Sequence, residues 1–272
     1  MGGSYVIYNI FTTANKSYFP FVNVFINSLT KNCSNLNKIY IADCGLGEYR
    51  KYLKDKSNVC IMDTNILDEY TGVHSEGWVK ATQQKTRVLY KLLSEINFKE
   101  PLIMIDSDVC VLHDLAQVIN TNFDMQVTTM SNGGHTRNDG IFIREIASFL
   151  IINNFDFGKN FVYSWIKKME EFGKNGTPFP HETPALNTLL QTLNNEKFKI
   201  GYLEEIKVCA DQTLTPETIS VHFKSNGTTS DDPVINFEKR IMSVNNITEN
   251  DLEIGSYLNE QQYSQWRYEY RK

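Results

Sequence analysis

The sequence has no closely spaced pair of cysteines. Its five cysteines, Cys33, Cys44, Cys60, Cys110 and Cys209, are scattered through 272 residues, which argues against a thiolate zinc site. Most sit among apolar neighbours, as in Val59-Cys60-Ile61 and Val109-Cys110-Val111, and are expected to be reduced core residues of a reducing compartment. Long runs of Lys and Arg are also missing. With 27 basic against 32 acidic side chains and a net charge of −5, nucleic acid is not an expected partner. The apolar runs, such as Ile143 to Ile152, are too short or too interrupted to span a bilayer. Asn9, Thr12 and Asn15 break any apolar stretch after Met1, so a cleaved signal peptide is not expected. Internal repeats and low-complexity tracts are absent. A hydrophobic content of 41% against 22% charged residues describes a globular chain with a sizeable core, expected in the cytoplasm.

What the sequence does contain is an alternation of short β-branched runs with longer helix-period stretches, the pattern of a mostly parallel sheet covered by helices. Strands are predicted at Tyr5 to Phe11, Lys38 to Ala42, Asn58 to Met62 and Pro101 to Ile105, the last fully apolar and therefore central. Helices are predicted around Phe21 to Leu29, from apolar residues at i, i+3, i+4 and i+7, and from about Val79 to Ile96, with Val88, Leu89, Leu92 and Leu93 on its apolar side. Further on, Gln126 to Met130 reads as a strand, Asn160 to Phe172 and Pro184 to Leu193 as helices, and Ile219 to Phe223 as a late strand. Phe142 to Ile152 fits either a strand or a helix. The polar stretch Ser225 to Pro233 is the one plausible boundary, which divides the chain into a domain at 1–227 and a C-terminal extension, expected to be helical, at 228–272.

The sharpest chemical feature is Asp106-Ser107-Asp108 at the end of the central strand. Alternation places the two carboxylates on one face of an extended segment. Ligands of open α/β sheets bind at the carboxyl ends of strands, and two carboxylates meeting there call for a cation, which a hard divalent metal supplies. Asp114, ahead of Leu115 to Ile119, is expected to be a helix cap.

The segment Ile103-Met104-Ile105-Asp106-Ser107-Asp108-Val109-Cys110-Val111-Leu112-His113-Asp114-Leu115 resembles the hhhDxDxxVxxDL signature of GT-A nucleotide-sugar glycosyltransferases. It is most similar to the glycogenin-like and lipopolysaccharide-galactosyltransferase-like group. Other segments follow in the group's order over residues 4 to 227. Thr12 to Leu29 resembles the loop and helix that hold the nucleoside. Lys85-Thr86-Arg87 falls where the group has a basic residue near the diphosphate, and Phe149 to Asn154 resembles its GVLLIN segment. Glu182 to Asn187 resembles DQDALN, and His222-Phe223 resembles the HFxG motif. The pattern departs at Thr183 and Pro184, and the later Lys and Trp of HFxGxxKPW are missing after Gly227.

The resemblance implies a metal-dependent transferase that moves a sugar from a nucleotide donor, a UDP-sugar, to a saccharide, a lipid-linked or another hydroxyl acceptor, with retention slightly favoured. Asp106, Asp108 and His222 would hold Mn²⁺ or Mg²⁺. Lys85, Arg87 or Lys224 would contact the diphosphate, and Thr12 would belong to the nucleoside loop. Tyr18 would stack on the base and Asp43 would accept from its ring N–H. Glu182, expected to be exposed toward the cleft, would act either as general base or as a group that positions the sugar. Asp108 is the second residue expected to be essential for catalysis. Two other readings fit parts of the sequence. One is a haloacid-dehalogenase-type phosphatase, with Asp231-Asp232 as its late acidic pair. The other is a catalytically silent sugar-nucleotide-binding module. The Tyr-rich tail, with Trp266, Arg267, Arg271 and Lys272, either packs on the main domain or makes a peripheral membrane contact.

Overall fold

The computed structural model describes residues 6–54, 56–64, 76–177, 181–193, 197–211, 214–224, 232–245 and 254–271. Tyr5, Asn226, Asp231 and most of the predicted boundary at Ser225 to Pro233 lie outside them.

Strands β1 (Tyr8–Ala14), β2 (Leu36–Asp43), β3 (Val59–Asp63), β4 (Leu102–Ile105), β5 (Val109–Val111), β6 (Met125–Thr129), β7 (His135–Thr136), β8 (Phe142–Ile143), β9 (Glu145–Ile152), β10 (Ile200–Glu204) and β11 (Ser220–His222) alternate with helices. The helices are α1 (Phe19–Asn32), α2 (Arg50–Lys54), α3 (Glu76–Glu95), α4 (Phe155–Lys174), α5 (Glu182–Thr192), α6 (Glu205–Val208), α7 (Pro233–Asn245) and α8 (Glu260–Tyr270). Seven strands form one sheet in the order β10-β6-β9-β4-β1-β2-β3. Parallel pairs join β3, β2, β1 and β4, and also β6 and β10. β9 runs antiparallel to both of its neighbours. This resolves the ambiguous apolar run as a strand. Its Phe149 and Ile151 face one helical layer and its Leu150 and Ile152 the other, so both faces are buried and no polar alternation was available to mark it.

Alternation along β4 divides the core in the same way. Ile103 and Ile105 pack toward α1, while Leu102 and Met104 pack toward α3, α4 and α5. All four are fully buried, as expected of a central strand. The strand ends at Ile105 as predicted, but the extended segment expected to carry Asp106 and Asp108 on one face does not form. The chain leaves the sheet after Ile105 and bends at Ser107 and Asp108 before resuming as β5. β5 pairs antiparallel with β11 and sets Val109 opposite His222. The backbone of Val111 is bonded to α1: its N–H donates to Ser28 Oγ at 3.0 Å, and Asn32 Nδ2 donates to its carbonyl at 2.7 Å.

The C-terminal helices close over α1. Phe237 of α7 packs edge-on to Phe21 at 4.8 Å, and the fully buried Trp266 of α8 donates from Nε1 to the Lys16 carbonyl at 2.8 Å. Tyr263 stacks on Trp266, and Tyr270 packs against it at a tilt. The aromatic face of the tail is therefore used in packing, which leaves Tyr268 as its large exposed ring. Among the described residues no helix is long and apolar enough to cross a membrane.

Asp114 caps the short helical turn at Leu115 by accepting from Ala116 N–H at 2.9 Å. It also accepts from Tyr8 Oη, Ser34 N–H, Ser34 Oγ and Asn35 Nδ2, joining β1, α1 and the approach to β2. Asp114→Ala removes charge-assisted bonds at a partly solvated site and should cost about 2 kcal/mol in urea unfolding. A loss below about 0.5 kcal/mol would reduce it to an ordinary surface cap.

Candidate active site

Two elements bring the three candidate ligands together. The bend after β4 carries Asp106 and Asp108, and β11 carries His222. Registry between β5 and β11 fixes their approach: Phe223 N–H donates to the Asp108 carbonyl at 2.9 Å and His222 N–H to the Ala210 carbonyl at 2.8 Å. His222 Nε2 lies 3.2 Å from Asp108 Oδ1 and 3.9 Å from Asp106 Oδ2. One ligand atom from each of the three residues falls within 4.8 Å of the others, and these are the group that could hold a metal ion among the described residues. Two carboxylate oxygens and an imidazole nitrogen form a mixed donor set suited to Mn²⁺ or Mg²⁺. His222 is buried and its Nδ1 has no protein partner, so Nε2 is the nitrogen turned to the acidic pair.

Each carboxylate also has a cation behind it. Lys85, projecting from α3 and only 4% exposed, donates to Asp106 Oδ1 at 2.8 Å and to the Ala147 carbonyl at 3.2 Å, and lies 3.1 Å from Glu182 Oε1. Asp108 is held from the other side by Arg240 of α7. Burial raises the pKa of Asp106, and Lys85 offsets this only in part, so its carboxyl stays above its ordinary range. Burial alone would also raise Asp108, but His222 and Arg240 outweigh it and hold its carboxyl well below that range. For Lys85 the burial penalty is overcome by Asp106 and Glu182, so the ammonium stays firmly charged.

Glu182 is not exposed toward a cleft, as the sequence suggested. It is 7% exposed at the start of α5, with its carbonyl accepting from Trp165 Nε1 at 2.7 Å. Its Oε2 lies 3.6 Å from His181 Nδ1. Against the cost of burial, Lys85 and His181 hold its carboxyl well below the usual range. The helix is positioned by Asn187, which is fully buried and accepts from Arg144 and Glu145 N–H while donating to the Glu145 and Thr183 carbonyls. Thr183 and Pro184, where the sequence departs from DQDALN, sit in the first turn of α5.

The architecture matches solved glycosyltransferases. The galactosyltransferase LgtC, solved in complex with donor and acceptor sugar analogs, superposes with a TM-score of 0.55 at 13% identity, over 92% of this chain and 100% of that one. The fold is of the GT-A glycosyltransferase type. The glycosyltransferase GlyE of Streptococcus pneumoniae TIGR4 gives a TM-score of 0.52 at 14% identity over 96% of this chain and 64% of GlyE. The bifunctional glycosyltransferase WbbM gives 0.52 at 11% over 95% of this chain and 53% of WbbM. No protein-family model matches the sequence, and no curated protein matches it. The phosphatase alternative is not favoured by these neighbours.

Within this GT-A fold the remaining candidates divide. Tyr18, at the N-terminus of α1, accepts from Arg240 Nη1 through its hydroxyl at 3.1 Å and so touches the same cluster. Thr12 is fully buried on β1, and its Oγ1 has no protein partner. Asp43 is engaged in its own turn, accepting from Gly45 and Leu46 N–H at 3.0 and 2.7 Å and pairing with Arg50 at 3.4 Å. Arg87, two residues from Lys85, points elsewhere on α3 and pairs with Glu170 at 3.5 Å. Lys224 is directed at Glu205 and, at 3.4 Å, at Asp211.

Arg240 is the functional candidate that the motif reading missed. A signal was present: Val234, Phe237 and Ile241 form an apolar stripe on α7, and Arg240 stands beside it at i+3 from Phe237. A charge on a buried stripe requires a counter-charge. Its partner, Asp108, lies 132 positions away.

Proposed function

We propose that the chain is a metal-dependent glycosyltransferase that moves a sugar from a nucleotide-sugar donor, a UDP-sugar, to a saccharide or lipid-linked hydroxyl acceptor. The observation that carries this reading is the convergence of Asp106, Asp108 and His222 at the carboxyl end of the central strand of a fold shared with glycosyltransferases. Asp106, Asp108 and His222 would hold a divalent ion, Mn²⁺ or Mg²⁺, which when bound neutralises the diphosphate leaving group. Lys85, buried and fixed between Asp106 and Glu182, presents a permanent ammonium on the same side as the carboxylates. Its three N–H groups are taken by Asp106, the Ala147 carbonyl and Glu182, so we assign it, ahead of Arg87 and Lys224, to act on the donor's diphosphate through its charge and not through a direct hydrogen bond. Thr12, Tyr18 and Asp43 remain the proposed nucleoside side of the site.

Glu182 fits a positioning role better than that of a base. A carboxylate held well below its ordinary range by an adjacent ammonium has little affinity for an acceptor proton. Its service is to fix Lys85 and stabilise positive charge developing on the donor sugar, which favours retention of anomeric configuration.

A donor-hydrolysis screen across nucleotide sugars, run with Mn²⁺ and with EDTA, tests the proposal. Metal-dependent cleavage of a UDP-sugar is the expected result. Release of phosphate from simple monoesters with no response to nucleotide sugars would overturn it. UDP and Mn²⁺ raising the melting temperature together, without turnover of any donor, would instead establish the silent binding module. Proton NMR of the first-formed anomeric signal decides between retention and inversion.

A further inference from the structure

Arg240 makes contacts that bracket two of the three candidate metal ligands. Nη2 bonds Asp108 Oδ2, Nε bonds the Phe223 carbonyl next to His222, and Nη1 donates to Tyr18 Oη at 3.1 Å. The guanidinium lies 4.6 Å from the Phe21 ring centroid and its residue is 2% exposed, so water does not replace any of these bonds. With Oδ2 occupied, Asp108 has Oδ1 left over, and Oδ1 is the oxygen 3.2 Å from His222 Nε2. Phe223 N–H, in turn, bonds the Asp108 carbonyl. One planar fork therefore fixes the side chain of one ligand and the backbone beside another.

We propose that Arg240 is a positioning residue of the metal site: it locks the Asp108 carboxylate with Oδ1 facing the ion and joins that ligand to Tyr18 and helix α7. This rests on the reading that Asp106, Asp108 and His222 hold a divalent ion. Outer partners of metal ligands act by restricting the ligand's rotamer, and their loss typically weakens metal binding by about 10–100-fold. Lysine cannot reproduce the role in full, because a single ammonium does not span three acceptors in one plane.

The test is Mn²⁺ binding to the full chain, followed by electron paramagnetic resonance with and without UDP, with folding of each variant followed by circular dichroism. Arg240→Gln should weaken Mn²⁺ binding by about tenfold or more, and Arg240→Lys, which keeps the charge, should fall between it and the unsubstituted protein. Binding by Arg240→Gln within about twofold of the unsubstituted protein, or tighter than it, would overturn the inference; tighter binding would identify Arg240 as a competitor of the ion. If Arg240→Gln does not fold, Arg240→Lys decides, and equal affinity in that variant overturns the inference. An unsubstituted protein that binds no Mn²⁺ would refute the metal reading itself, and the role of Arg240 with it. Loss confined to the variants leaves that reading standing.

Discussion

Asp108→Ala should lose about 3–5 kcal/mol of folding stability and, in the same protein, Mn²⁺-dependent donor cleavage by on the order of 10³-fold. A residue at a strand end suggests a ligand that can be truncated without disturbing the packing. The tertiary structure gives a different expectation. Asp108 is buried against the guanidinium of Arg240, itself 2% exposed. Removing the carboxylate leaves that charge uncompensated away from water, which is costlier than removing the pair together. The double variant Asp108→Ala with Arg240→Met should therefore recover part of the stability while staying inactive. Urea unfolding and a nucleotide-sugar hydrolysis assay separate the two effects. Near-native turnover in Asp108→Ala would refute the ligand role. Near-native stability would refute the buried pair.

Lys85→Met should show the second large effect, with a sign that depends on pH. Lys85 is the shared cation of Asp106 and Glu182, so at pH 7 its loss should cost about 3–5 kcal/mol. In the unsubstituted protein the Glu182 carboxyl is held below its unfolded value. Its contribution is present above the ordinary carboxylate range, near pH 4, and is lost as pH falls through the folded value. Without Lys85, only His181 opposes the burial of Glu182, and the upward shift already present in Asp106 grows, so the penalty in the variant increases as pH rises. The stability gap should thus be widest at neutral pH and narrow below about pH 4. Urea unfolding in EDTA at the two pH values measures it. A gap that does not change would mean that Lys85 contributes packing and not charge.

The sequence alone was enough to place Asp106 at the carboxyl end of a central strand. Its four apolar predecessors mark a buried strand, and the strands and the two long helices before it were legible from the period of their apolar residues, whereas the short helix α2 was not predicted. The strand that borders it, β9, was not legible, because burial on both faces removes the alternation that separates strand from helix. Among the site residues, Asp106, Asp108 and His222 could be read from local spacing and resemblance, and the structure brings the three together. What only the tertiary structure decided is the company they keep. The bend after Ile105 turns Asp106 toward Lys85 on one helical layer and Asp108 toward Arg240 on the other. Glu182 is buried beside Lys85, and Lys224 is occupied by Glu205 and Asp211. Spacing along a chain fixes which side chains share a strand face or a helix turn. Charge pairing between elements is set by how the layers close, and a buried charge takes its pKa and its role from whichever counter-charge that closure delivers.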